Sequence, residues 1–486
     1  MENIQYSRFY KKPHFILSLI LLVFFLKGVF LSVLFPMFKG QDESRHYNTI
    51  QYLAEPKEKT WPITSGKENP RRENDRLDTY NFSEEIKETV KAADLNFTRG
   101  NSYEKTSFTE SFNGKNEKEI NSMIWKPYNK NYPLDIVTGG LYHKLALQIE
   151  KLFGDQSILV RFYSIRIFSV LLGTATIFLS YFIAKNSGFS SRNSSIIAAI
   201  VAFQPKFSAY LTNINYDSLL IFLFSAFTLG GIMSLKQGLN WKNGIMLIAS
   251  IVLGLFTKGT AIALLVAFIF LMAFHLYKKI KERKINLKIL AIFAFVSATL
   301  AFIFFSNFSL FSLLPFRKGV SLIETANSLF RYISKFNSLA SISKNYWGDI
   351  SWILNNIDNY LIYAIWALEA PAAIGLAFFF LSKKRPDFIP EKKYAVFLLL
   401  MLFVLQFGVR IYDWRIFSET GDILLGTPGR YFLPNLASHI ILVFIGIGML
   451  FRKEKYLNYF LTAMLILMFS FSMYQIFDII MPRFYL

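Results

Sequence analysis

The run HFILSLILLVFFLKGVFLSVLFPM, His14 to Met37, holds one formal charge, Lys27, in 24 residues. About 20 apolar residues cross a bilayer as a helix, and no small-residue cleavage site of a secretory signal accompanies the run. It therefore reads as an anchoring span. The whole chain agrees: 53% of its 486 residues are hydrophobic and 52 are Phe, more than a soluble domain of this length carries. The fold class that follows is all-α, a polytopic membrane protein. The chain has no Cys, so disulfides, thiolate metal sites and thiol catalysis are excluded, and any chemistry falls to carboxylates, His, Lys, Arg, Tyr or hydroxyls.

Apolar segments predict about 11 spans, at 14–37, 158–184, 194–213, 217–235, 243–257, 260–277, 288–314, 359–382, 394–411, 431–451 and 456–480. The connecting segments carry basic clusters at Arg8, Lys11 and Lys12, at Lys278 to Lys288, at Lys383 to Lys393 and at Arg452, Lys453 and Lys455. With alternating spans all four fall on one side, which the positive-inside rule makes cytoplasmic. Residues 1–13 are then a cytoplasmic N-terminus and 38–157 a large extracytoplasmic loop. Spans two to seven occupy 158–314, a further outer loop 315–357, and the last four spans 358–486. The expected location is the inner (plasma) membrane.

The large loop holds 18 Lys+Arg against 19 Asp+Glu, so of the chain's 53 and 33 the rest holds 35 and 14. The basic excess is thus a topology signal with affinity for anionic headgroups, and no nucleic-acid partner is expected. Within the loop, the polar insert 55–119 is poor in branched apolar residues and reads as a mobile segment or a small cap. Residues 44–54 and 137–153 place apolar side chains at helical spacing among charges, as in helices lying in the membrane interface.

Ionisable groups gather on the outer side of this topology. Just beyond the first span stands Gly40-Gln41-Asp42-Glu43-Ser44-Arg45-His46. In a helix, Asp42, Arg45 and His46 would share a face. An aspartate held near a cation stays ionised and serves as general base toward a hydroxyl, while Arg or His suits a phosphate or a divalent metal. The competing reading is a pair of solvated carboxylates after a span. Asn213, Asn215 and Asp217 occupy the turn between the third and fourth spans, Asp217 as helix N-cap or as site residue. Lys258 lies between apolar spans, meeting an anion or snorkelling to the interface. The Trp347 to Trp352 segment fits an interfacial belt. Arg430 opens the tenth span, as a phosphate clamp or a helix anchor. Arg161 and Arg166, on the second span, pair with carboxylates inside the bundle or bind phosphate.

Four motifs in this order carry a resemblance that spans nearly the whole chain: Asp42-Glu43-x-x-His46; Phe203-Gln204-Pro205 followed by Asn215-Tyr216-Asp217; Leu-Gly-Leu-Phe-Thr-Lys-Gly at 253–259; and Gly429-Arg430-Tyr431-x-x-Pro434. The arrangement resembles the GT-C superfamily, multi-spanning glycosyltransferases that use polyprenyl-phosphate sugars, such as protein O-mannosyltransferases and lipid A aminoarabinose transferases. More closely, it is similar to a group of bacterial membrane proteins assigned to that clan. Gln41 before Asp-Glu, Tyr216 in the turn and Tyr346 before Trp347 depart from the family's proline, polar residue and phenylalanine.

The resemblance implies Asp42 as base, with Glu43 a second catalytic-site carboxylate. It implies Arg45, His46, Asn215, Asp217, Lys258, Trp347, Arg430 and Tyr431 as substrate-binding residues. Lys258 and Arg430 would face the lipid-phosphate leaving group. It leaves room for a divalent metal ion, with Asp42, Glu43 and His46 as its ligands. The donor would be a polyprenyl-phosphate sugar, the acceptor a hydroxyl on a glycan, lipid or protein, and the displacement inverting. The absence of a Gly-x-Gly-x-x-Gly or Walker sequence agrees with a lipid-linked donor. A transporter or flippase of lipid-linked saccharides, a polymerase or ligase of such saccharides, and a non-catalytic protein of the same fold are the other readings; no internal repeat favours the transporter.

Overall fold

The computed structural model describes residues 13–54, 82–92, 137, 139–282, 321–334, 339–348, 359–421, 429–451 and 453–485. Regular structure among them is helical, with no strand. Eight helices are long and apolar enough to cross a membrane.

The first, α1 (Pro13–Leu34), turns Leu17, Phe24 and Leu31 into the bundle and leaves Leu19, Leu22, Leu26, Phe30 and Val33 outward. An apolar outer face has no place in water, and in a bilayer it meets lipid. The helix stops before Pro36, whose ring disfavours a helical Phe35. Three shorter helices follow: α2 (Glu43–Ala54), α3 (Glu84–Ala92) and α4 (Leu141–Leu152). α2 and α4 fall where helices were expected, at 44–54 and 137–153, and α3 lies within the polar insert. Tyr47 and Ile50 of α2, Ile86 and Val90 of α3, and Tyr142 and Ala146 of α4 share a hydrophobic core with Phe162 and Ile165 of the next helix. This second core is separate from the main one, so the three helices form a small cap over one end of the bundle.

The bundle continues with α5 (Ile158–Ser187), α6 (Ser191–Phe203), α7 (Pro205–Tyr210), α8 (Asp217–Gln237), α9 (Trp241–Thr257) and α10 (Ile262–Lys281). The expected span 194–213 is broken into α6 and α7. Pro205 has no N–H to continue the ladder, and Gln204 caps the second piece by accepting the Phe207 N–H through its side chain. α9 is shorter than the eight long helices, and the expected span 288–314 lies outside the described residues. Next come α11 (Leu322–Ser334), α12 (Leu339–Trp347), α13 (Asn359–Leu381), α14 (Lys392–Thr420), a 3-10 turn over Gly429–Asn435, α15 (Leu436–Leu450) and α16 (Glu454–Tyr474). A π-turn over Gln475–Ile480 and the short α17 (Met481–Phe484) complete the described chain. α13 packs on α15, and α8 on both α5 and α9.

Candidate functional site

The site begins with a joint that holds the Asp-Glu pair. The last carbonyls of α1 have no partners within the helix, and Arg166 of α5 supplies them: Nη1 donates to Ser32 O (2.6 Å) and Phe35 O (2.6 Å), and Nη2 to Pro36 O (2.9 Å). The same guanidinium grips Glu43 through Nε (2.8 Å) and Nη2 (2.6 Å). Glu43 further accepts the N–H groups of Gly40 (3.1 Å) and Ile214 (2.9 Å). Both side chains are fully buried. One ion pair thus ties the end of α1, the Asp42 loop, α5 and the 213–217 turn together.

Asp42 itself lies just outside α2. Its backbone is left-handed (φ 56°), a conformation that costs a non-glycine residue about 1–3 kcal/mol and persists only where its surroundings enforce it. Asp42 O accepts the His46 N–H (3.0 Å). The side chain leaves toward the 3-10 turn, where Oδ2 meets Arg430 Nη2 at 3.1 Å. It remains partly exposed while Arg430 is buried.

A second ion pair stands beside the first. Lys258, capping the C-terminus of α9, reaches Asp217 Oδ1 at 2.8 Å, and Tyr210 donates its hydroxyl to Asp217 Oδ2 at 2.7 Å. Asp217 is therefore not an N-cap: it opens α8 with its own N–H given to Asn215 Oδ1 (2.8 Å). Tyrosine rings link the pairs. Lys258 Nζ lies 4.6 Å from the Tyr216 ring centre and 4.3 Å from that of Tyr431, while the Arg430 guanidinium lies 5.1 Å from Tyr431 and 6.0 Å from Tyr210. Aromatic faces favour a desolvated cation. Burial pushes the Tyr216 hydroxyl up to about 12, so that ring serves as a neutral wall.

Gly429 explains how Arg430 comes so close. A Cβ there would stand 2.3 Å from Ile342 O and 2.5 Å from Tyr346 N, so only glycine lets the turn lie on α12, where Asn345 Oδ1 accepts the Arg430 N–H (3.0 Å). Trp347 is buried behind this contact, against Tyr346 and His439. Tyr346 O accepts from Gln204 Nε2 (2.7 Å), and Trp347 O lies 3.5 Å from the same nitrogen. Trp347 thus backs the site instead of lining it. Trp352 lies outside the described residues.

Of the residues expected at the site, Asp42, Asp217, Lys258, Arg430 and Tyr431 come together directly. Asn215 joins them by donating to Gln41 O (3.3 Å). Arg45, on α2, is half-buried. His46 is buried with its Nδ1 2.9 Å from His143 Nε2 and the two rings stacked. Burial, with His143 and the cations Arg45, Lys258 and Arg430 adding to it, holds the His46 imidazole well below its usual range, and burial takes His143 down to about 4. Sequence reasoning missed His143, Tyr210 and Lys206, whose buried ammonium reaches Gln41 Oε1 (3.4 Å).

Arg161 and Arg166 are both paired with carboxylates. Arg161 bridges Glu85 of α3 and Glu150 of α4, and Tyr47 donates to both Glu150 oxygens (3.2 Å each). One guanidinium faces two buried carboxylates, an arrangement that disfavours both being ionised at once. Burial raises the Glu85 carboxyl to about 7 against the pull of Arg161, and raises Glu150 as well.

Among the described residues no three His, Asp or Glu side chains converge as a metal site. Glu43 has its oxygens engaged by Arg166, Gly40 and Ile214, so Asp42, Glu43 and His46 are not arranged as a ligand set.

Two carboxylate–cation pairs under aromatic cover, at the end of a helical membrane bundle, suit an anionic substrate with an apolar tail. Residues 149–302 match the dolichyl-phosphate-mannose-protein mannosyltransferase family. The family is a GT-C superfamily domain. The matched segment holds Arg161, Arg166, Asn215, Asp217 and Lys258, whereas Asp42 and Arg430 lie outside it. The match supports a membrane glycosyltransferase of the GT-C type. No curated protein and no solved structure matches the chain.

Proposed function

We propose that the chain transfers a sugar from a polyprenyl-phosphate donor to an acceptor hydroxyl, with inversion and with Asp42 as general base. The observation that carries this reading is the Asp42–Arg430 pair, 388 residues apart in sequence, set beside Asp217–Lys258. A donor phosphate entering between Arg430 and Lys258 competes with the carboxylates for the cations and releases Asp42 to face the acceptor.

The acceptor O–H then gives its proton to the Asp42 carboxylate as its oxygen bonds to the anomeric carbon. The anomeric C–O bond to phosphate breaks, and the electron pair leaves on polyprenyl phosphate. Fixed cations at the developing phosphate charge stabilise that step more than the ground state. One carboxylate acting as base and no covalent sugar intermediate make a single displacement, which inverts. Glu43, engaged in its buried pair, orients Asp42. Under the positive-inside rule the basic clusters, at the other end of the bundle, support a site on the extracytoplasmic side of the inner membrane. A glycan, a lipid or a protein supplies the acceptor hydroxyl.

The test is transfer in membranes given radiolabelled polyprenyl-phosphate sugars. Asp42→Asn, near-isosteric, is expected to lose about 100-fold or more, the scale of general-base removal. Equal transfer by the variant removes Asp42 from the chemistry, and no transfer by wild type with any such donor removes the reading.

A further inference from the structure

The hydrogen bonds around His143 leave one assignment of its protons. His143 stands at the third position of α4 and turns back so that Nδ1 accepts the backbone N–H of Gly140 at 3.1 Å. A backbone N–H only donates, so Nδ1 carries no proton and the neutral ring has its hydrogen on Nε2. That hydrogen points into the 2.9 Å contact with His46 Nδ1. His46 Nδ1 is therefore the acceptor, and the proton of neutral His46 sits on Nε2. Among the described residues nothing accepts from that atom.

Gly140 is pinned as well. A Cβ on it would stand 2.7 Å from Thr257 O and 2.8 Å from Phe256 O, so the end of α9 that presents Lys258 also positions the amide that orders the two imidazoles. The His46 ring meets Tyr216 edge to face at 4.6 Å, and Lys258 lies on that same tyrosine. The groups around His46 are His143 from α4, Arg45 and Asp42 from its own segment, Lys258 and Tyr216 from the α8–α9 side, and Arg430 from the 3-10 turn. Three of these are cations, so a fourth positive charge is disfavoured while a neutral donor is not.

We propose that His46 binds the donor's phosphodiester as a neutral Nε2–H donor, and that His143 is the positioning residue that fixes this tautomer by relaying the Gly140 amide. The inference rests on the lipid-phosphate reading above. It separates the phosphate contacts into two kinds, the charged ones of Lys258 and Arg430 and a neutral, directional one from His46. An extra proton on the pair would set N–H against N–H either at His46 Nδ1 or at Gly140, so the arrangement excludes the imidazolium by geometry.

The probe is farnesyl methyl phosphate, a diester whose charge stays constant over the working range. Its binding is measured to the full chain in nanodiscs between about pH 6 and about pH 8. Wild type is expected to bind with affinity independent of pH. His143→Phe keeps an aromatic ring and removes both hydrogen bonds; it is expected to bind about 5- to 10-fold more weakly at the alkaline end, the scale of one net hydrogen bond. It should gain affinity toward acid as the released His46 begins to titrate, with a midpoint below the ordinary histidine value of about 6.5 because burial and the cations Arg45, Lys258 and Arg430 remain. His143→Gln offers an acceptor and a donor in one amide and is expected to restore both the affinity and the flat profile.

His143→Phe that matches wild type in affinity and profile overturns the relay and leaves the donor reading standing. So does a wild-type affinity that itself rises toward acid with a midpoint near 6.5, a result that does not depend on any variant folding. Failure of wild type to bind the diester at all overturns the donor reading, and this inference with it.

Discussion

Arg166→Lys tests the joint under the Asp-Glu pair. The guanidinium makes five hydrogen bonds, to Ser32 O, Phe35 O, Pro36 O and both Glu43 oxygens, all between 2.6 and 2.9 Å. An ammonium has three donors on one atom, so at least two of these five buried hydrogen bonds are lost, although Glu43 keeps the N–H groups of Gly40 and Ile214. At about 1–3 kcal/mol for each lost hydrogen bond from a buried charged group, the variant should lose about 2–6 kcal/mol of stability although its charge is unchanged. The measurement is an equilibrium SDS titration in mixed micelles, with transfer activity followed in parallel, since the left-handed Asp42 depends on this joint. A shift below about 1 kcal/mol would refute the reasoning, because it would mean that the end of α1 and the Asp42 loop are held by something other than the guanidinium. A cycle with Glu43→Gln sharpens the result: the two changes break one network and should be strongly non-additive.

Two further outcomes follow from the geometry. The Glu85 carboxyl, raised to about 7 by burial with Glu150 adding to it, binds its proton more tightly in the folded chain than in the unfolded one. Its stabilising contribution is therefore complete below about pH 4.5 and is lost as pH rises through about 7, up to about 3 kcal/mol. Protection of the α3 amides, taken relative to the base-catalysed intrinsic exchange rate, should be higher at about pH 6 than at about pH 8, and Glu85→Gln should abolish the difference; a wild-type α3 equally protected at both sinks the idea. Gly429→Ala puts a methyl carbon 2.3 Å from Ile342 O, which displaces Arg430. Transfer should fall at least about 10-fold with the bundle still folded, and unchanged kinetics would show that the turn does not need glycine.

How much was legible follows from the range of each interaction. Hydropathy located the long spans because it is a local property, but it ran through 194–213 without registering that Pro205 breaks the helix and Gln204 caps the second half. Asp42 and Arg430 are 388 residues apart, and no periodicity joins them; the order of the four motifs singled out both ends of the pair. Arg161 and Arg166 stood out as charges in apolar helices, yet Glu85 and Glu150 are ordinary carboxylates of the large loop, and Glu43, though marked by its motif, showed its pairing with Arg166 only in three dimensions. Gln41 and Tyr216, departures from the family pattern, turn out to serve the site: Gln41 meets Lys206 and Asn215, and Tyr216 meets Lys258 and His46. His143 sits in an amphipathic helix with nothing to mark it except the glycine pair just before, Gly139-Gly140.

Lys27 carries a consequence for the order in which the chain is assembled. Its ammonium donates to Ala202 O (2.8 Å), Ser208 Oγ (2.7 Å) and Ser472 Oγ (3.3 Å), and it lies 4.7 Å from the Phe203 ring centre. Every one of these partners is at least 175 residues downstream. A newly made first helix thus enters the bilayer with its lysine unsatisfied, at a cost of about 2.5–3.5 kcal/mol that the remaining apolar residues outweigh. It waits for the Gln204–Pro205 break to offer a carbonyl, and for the last long helix to supply Ser472. Until then it is a hydrophobic segment with an exposed polar handle, the kind of feature by which an unfinished membrane protein differs from a finished one in the eyes of a membrane chaperone or protease.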